Sequence, residues 1–131
     1  MAAQLDGAGT AKMSVLEEAF GQLQHIHAIV ERMAVSVRAH QDTRQFRSQI
    51  GRAAAPLVGL LKPQFGMIAD SVISLNLLTS RGGSDQTRLR ALREAVAQVR
   101  TQLEISVSRV KESHAIKDAA VTDASGETGA K

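Results

Sequence analysis

Histidine is the residue type here best suited to ligate a metal or move a proton, and the chain has His25, His27, His40 and His114. A helical zinc site sets its ligands four residues apart on one face, as in His-Glu-x-x-His. His25 and His27 are two apart and point in directions about 200° from one another around a helix, so they form no site together. His27 stands beside the core rows as a boundary residue. His114, following Lys111 near a helix end, suits the helix dipole as a cation. Glu17 and Glu18 fall in a first turn and Glu31 and Glu94 on outer faces, and none is paired inside an apolar stripe, which leaves no acid–base dyad. The serines lack a Gly-x-Ser-x-Gly elbow, and Gly82-Gly83, without a Gly-Lys-Ser/Thr ending, reads as a turn rather than a phosphate loop. These residues predict no enzyme: no catalytic group, no metal, no cofactor and no small-molecule substrate.

Arginine carries the stronger signal. Between residues 31 and 62, Arg32, Arg38, Arg44, Arg47, Arg52 and Lys62 stand against Glu31 and Asp42, six minus two, or +4. A patch of Arg38, Arg44, Arg47 and Arg52 would suit an acidic partner or anionic lipid headgroups. The plainer reading is a solvated polar face with i to i+4 pairs.

The elements that must position these residues are organised around the stretch from Asp42 to Ser80. Its apolar residues, Phe46, Ile50, Ala53, Leu57, Leu60, Leu61, Phe65, Ile68, Val72, Leu75 and Leu78, recur by threes and fours, which is one helical face. The phase holds across Pro56 and Pro63, so the spacing predicts one long helix over 43–80, kinked at the prolines. A first helix is expected over 14–40, opened by the capping box Ser14/Glu17. Its heptad rows are Leu16, Leu23, Val30 and Val37 beside Ala19, Ile26 and Met33. Asp42 with Gln45 is placed to cap the second helix, and the glycine pair Gly82-Gly83 to end it with a left-handed residue. Ser84 or Asp85 then starts a third helix over 85–117, with rows Leu89, Val96, Leu103, Val110 and Leu92, Val99, Ser106.

The fold class expected is therefore all-α, an up-down-up antiparallel three-helix bundle, with a disordered arm at 1–13 and a disordered tail or linker at 118–131, neither of which has an apolar stripe. Composition agrees. A chain of 131 residues, 44% hydrophobic, makes one domain with a modest core. Without cysteine it has neither disulfides nor thiolate metal sites and suits a reducing compartment. A net charge of +3 and the lack of tyrosine and tryptophan argue against nucleic acid. No window of roughly 18 consecutive apolar residues would span a membrane. Met1 to Lys12 holds no signal-peptide core. The second helix shows more than one apolar face through Val72, Ile73, Leu75, Leu77 and Leu78. With Leu89 and Val96 of the third helix these predict a groove for a partner helix, or else the core of a dimer.

Asp42-Thr43-Arg44-Gln45-Phe46-Arg47-Ser48-Gln49-Ile50 resembles the start of the second helix in the N-terminal Habc domain of syntaxins, especially the endosomal Qa type. The downstream order is similar too: a long helix, a polar turn, then a basic helix written Arg88-Leu89-Arg90, over roughly residues 14 to 115. The resemblance implies a regulatory domain in vesicle fusion and membrane trafficking. Its partners would be a SNARE helix, or a Sec1/Munc18-type or tethering protein, at the cytosolic face of endosomal membranes. The chain departs from the family in Pro56 and Pro63 and in lacking the Asp-Arg-Thr peptide by which some syntaxins grip Sec1/Munc18 proteins. The segment from Asp118 stands where the linker to a SNARE region would begin, which implies a domain cut from a longer protein or a truncated relative. A small structural or oligomeric helical bundle, or a binder of anionic membrane surfaces, is the alternative reading.

Overall fold

The computed structural model describes residues 5–115, and these are helical apart from short connections: α1 Gly7–Arg38, α2 Arg44–Leu61, α3 Gly66–Leu77 and α4 Asp85–Ser113. All-α is what the periodicity predicts. The number of helices is not. In place of one kinked helix over 43–80 the chain reverses at Lys62–Phe65, so that α2 and α3 are antiparallel neighbours. Arg47 Nη1 donates to the carbonyl of Thr79 at 3.4 Å, and a Cβ on Gly51 would stand 3.2 Å from Asn76 Oδ1, pairings that only a fold-back permits.

The reversal has a local cause. Pro63 has no N–H to continue α2; Lys62 before it keeps helical backbone (φ −55°, ψ −43°), the chain leaves the helix at Phe65, and Gly66 follows within one turn. Phe65 N–H closes the last turn of α2 on the carbonyl of Leu61 at 2.7 Å and then leaves helical geometry. Pro56, also expected to kink, sits inside an uninterrupted α2. Its ring is exposed, so the Arg52 carbonyl that loses its donor lies on an open face rather than in the core.

The helices run up-down-up-down, each packing on the next and α4 returning against α1. Both predicted rows of α1 are buried, joined by Ile29 and Ala34. They meet Ile50, Ala54, Leu57 and Leu61 of α2, Ile68, Val72 and Leu75 of α3, and Leu89, Leu92, Val96, Val99, Leu103 and Val110 of α4. Truncating one of the fully buried leucines to alanine costs about 2–5 kcal/mol, because the void left behind closes only in part.

Helix ends differ from the sequence reading in ways that bear on the surface. α1 starts seven residues before Ser14, with Asp6 as its N-cap, and takes in most of the stretch expected to be an arm. Thr43, not Asp42, caps α2, and Asp42 Oδ1 instead accepts from the Arg44 N–H at 3.0 Å. α1 closes at Ala39 and His40 with a Schellman pattern: Gln41 N–H donates to Ser36 O and His40 N–H to Val37 O, with His40 at φ 56°. The glycine pair does not end the second helix, since α3 stops at Leu77. Gly83 (φ 115°) turns the loop that enters α4 at the Ser84 cap. The tail predicted at 118–131 lies outside the described residues.

Candidate functional site

An open trench of about 900 Å3 runs along the outer side of the α1–α2 pair. Its walls come from one face of each helix. Gly21, His25, Ile29 and Arg32 follow one another at threes and fours on α1, opposed by Gln49, Arg52, Ala53 and Pro56 of α2. From Glu18 to Arg32 the trench runs about 21 Å, four helical turns.

Small residues create it. A Cβ added at Gly21 meets no atom within 4 Å, so the glycine is not there to let two helices touch. In the interior of a long helix glycine costs about 1 kcal/mol relative to alanine. Here that cost yields only open space, with the buried Ile29 and half-buried Ala53 as apolar floor. The rim is charged unevenly. Glu18, bonded by the Gln22 amide at 3.2 Å, stands toward the Pro56 end, and Arg32 and Arg52 toward the other, a balance of two minus one, or +1. His25 lies between them, exposed.

The groove predicted between the second and third helices corresponds to the α3–α4 surface and is reorganised. Val72, Leu75, Leu89 and Val96 are core residues, turned inward because α3 packs as an independent helix against α4. Leu75 and the half-buried Leu78 reach a smaller groove of about 360 Å3, lined otherwise by Ser71, Ser74, Ala91 and Glu94 among others. Ile73 (44% exposed) and Leu77 (61% exposed) lie on the outer surface of α3 and line neither groove.

The basic patch is not a set of free guanidiniums. Arg44 forms a two-point contact with Asp42 (Nε to Oδ2 3.0 Å, Nη2 to Oδ2 3.0 Å), which with the Arg44 N–H holds the Asp42 carboxyl below its usual range and raises the arginine. Arg47 is half-buried, donating to Thr43 Oγ1 at 3.3 Å and to Thr79 O. It helps close the upper end of the bundle, where buried Thr43 donates to Asp85 at 3.0 Å and Asp85 pairs with Arg88. Arg38 is exposed at the end of α1, and Arg52, which donates to Ser48 at 3.0 Å, belongs to the trench.

At the level of sequence His25 is considered only as a metal ligand and Arg32 only as one of a run of cations, and Gly21 is given no role. The signal that could have found the trench is Gly21 itself, a glycine in the interior of a long helix. Among the described residues no group of three or more His, Asp and Glu side chains could hold a metal, and no helix is long and apolar enough to cross a membrane. No family model, no curated protein and no solved structure matches this chain.

Proposed function

We propose that the chain is a non-enzymatic protein-interaction module that receives one amphipathic helix of a partner in the α1–α2 trench. One observation carries this: the empty space above Gly21, which packing does not explain and a docked side chain would fill. The dimensions suit a helix of about 14 residues, laying an apolar stripe on Ile29, Ala53 and Pro56. The rim selects its charge. Carboxylates on the partner match Arg32 and Arg52, and a cation near its other end matches Glu18, which also orients it. Within this reading, the syntaxin resemblance of Asp42–Ile50 narrows the occupant to a SNARE-type helix and the setting to the cytosolic face of endosomal membranes.

The test is fluorescence anisotropy with labelled helical peptides of one apolar pattern and either glutamates or lysines on the flanks. The acidic peptide binds, weakens as salt rises, and loses about tenfold or more in affinity to the Arg32→Glu/Arg52→Glu variant. Equal binding of acidic and basic peptides, or of a scrambled one, would remove the proposal.

A further inference from the structure

The lower end of the bundle, away from the trench, holds a second concavity of about 210 Å3, whose walls include Lys12, Phe65, Ser106, Arg109, Val110 and His114. Its polar residues are cations, hydroxyls and an imidazole, and none of its described lining residues is a carboxylate. The chain puts effort into this corner. Gly9 is buried against His114, where a Cβ would collide with the histidine's own Cβ. Asp6 N–H donates to His114 O at 2.9 Å, and Leu5 and Ala115 form an isolated antiparallel bridge.

The His114 ring stands between Asp6 and Lys12. Asp6 accepts from Gly9 N–H at 2.7 Å, and this bond, reinforced by His114, holds its carboxyl below the usual range. An ionised Asp6 can only accept, so His114 Nδ1, 3.2 Å away, carries its ring's proton. Nε2 is left with a lone pair, and Lys12 Nζ stands 3.1 Å from it. An ammonium has three donors; one is spent on the imidazole and two remain for the cavity. Helix-dipole stabilisation explains cations at the end of α4, such as Arg109, but gives no advantage to Lys12 in the second turn of α1. Arg109 makes no ion pair among the described residues.

We infer that this pocket is a site for a phosphate monoester. The phosphate sits between Lys12 and Arg109, with the Ser106 hydroxyl as a further donor, and a small organic group lies against Phe65 and Val110. Lys12 and Arg109 both line the pocket, with the Asp6 carboxylate beyond the His114 ring, and two cations suit a dianion better than a singly charged carboxylate. The volume, below the about 300 Å3 at which drug-sized pockets begin, admits the phosphate and a small substituent only. A free phosphate ester and the headgroup of phosphatidic acid share this chemistry.

The experiment follows amide and His114 ring resonances of the full chain by NMR during titration with inorganic phosphate, phenyl phosphate or benzoate. Sedimentation with phosphatidylcholine vesicles, with and without phosphatidic acid, runs in parallel. Phenyl phosphate is expected to saturate shifts at residues 9–12 and 106–114, and benzoate to leave them in place. Arg109→Gln, at an exposed position that makes no side-chain hydrogen bond or ion pair among the described residues, should weaken binding about tenfold, while Arg90→Gln on the same helix leaves it unchanged. If only phosphatidic acid vesicles bind, and Arg109→Gln releases them, the site stands with a lipid as its source. The inference is overturned if no phosphate-bearing probe binds, or if Arg109→Gln binds as the unaltered chain does.

Discussion

His40 is the one non-glycine residue with positive φ among those described, and it holds the left-handed position that closes α1. A β-carbon in that conformation costs about 1 kcal/mol, which glycine avoids. His40→Gly should therefore raise the unfolding free energy by about that amount, seen as a higher urea midpoint at unchanged slope. A lower midpoint would mean that the imidazole itself ties the turn to its surroundings. His114 teaches a different point. Its neighbours in sequence explain it as a cation at a helix end, yet its working contacts are Asp6 and Lys12, more than a hundred residues away in the chain. No spacing rule reaches that far, so this corner could not be read without coordinates.

At the scale of elements, the rows of α1 and α4 were legible because each is a straight helix burying one face. The stretch from Asp42 to Ser80 was legible only in part, for a physical reason. Periodicity records which side of a helix faces inward and carries nothing about the direction in which the next turn runs. Leu61 and Ile68, seven residues apart, keep heptad phase whether the chain continues or reverses, and both are buried. What decides is the breaker pair Pro63 and Gly66 together with Phe65, which drops into the base of the bundle beside Lys12 and Val110. Pro56 alone, on an open face, is absorbed. Spin labels at the exposed positions Ser48 and Ser80 separate the two arrangements. The antiparallel α2–α3 pair predicts a distance of about 10–20 Å, since neighbouring helix axes lie about 8–10 Å apart. One continuous helix would set the labels about 48 Å apart, and such a value would refute the four-helix account.

For the whole molecule, long-range ion pairs add little to a fold held by its apolar core. Arg93 reaches from α4 to Glu31 on α1 (Nε to Oε2 2.9 Å, Nη2 to Oε1 2.8 Å), and these bonds hold the Glu31 carboxyl below its usual range. Both side chains are nearly half exposed, so solvent screening limits the pair to about 0–1 kcal/mol. A folded pKa below the unfolded one means that this stabilisation is present above the unfolded value, about pH 4.3, and is lost as pH falls through the folded value. Asp6 and Asp42, also lowered, act in the same direction. Thermal midpoints should be level from neutral pH to about pH 5 and fall in more acid solution, with a shallower fall in Glu31→Gln. A midpoint that declines equally steeply in that variant would show that Glu31 contributes nothing.

The functional account rests on the trench, and Gly21 gives it the sharpest measurement. Replacing Gly21 by leucine adds a good helix former and fills space that no other atom occupies, so the two readouts should part. Gly21→Leu is expected to unfold at a higher urea concentration, by up to about 1 kcal/mol, and to bind the acidic amphipathic peptide at least tenfold more weakly. A stabilised Gly21→Leu chain that binds the peptide as well as the unaltered one would contradict the account.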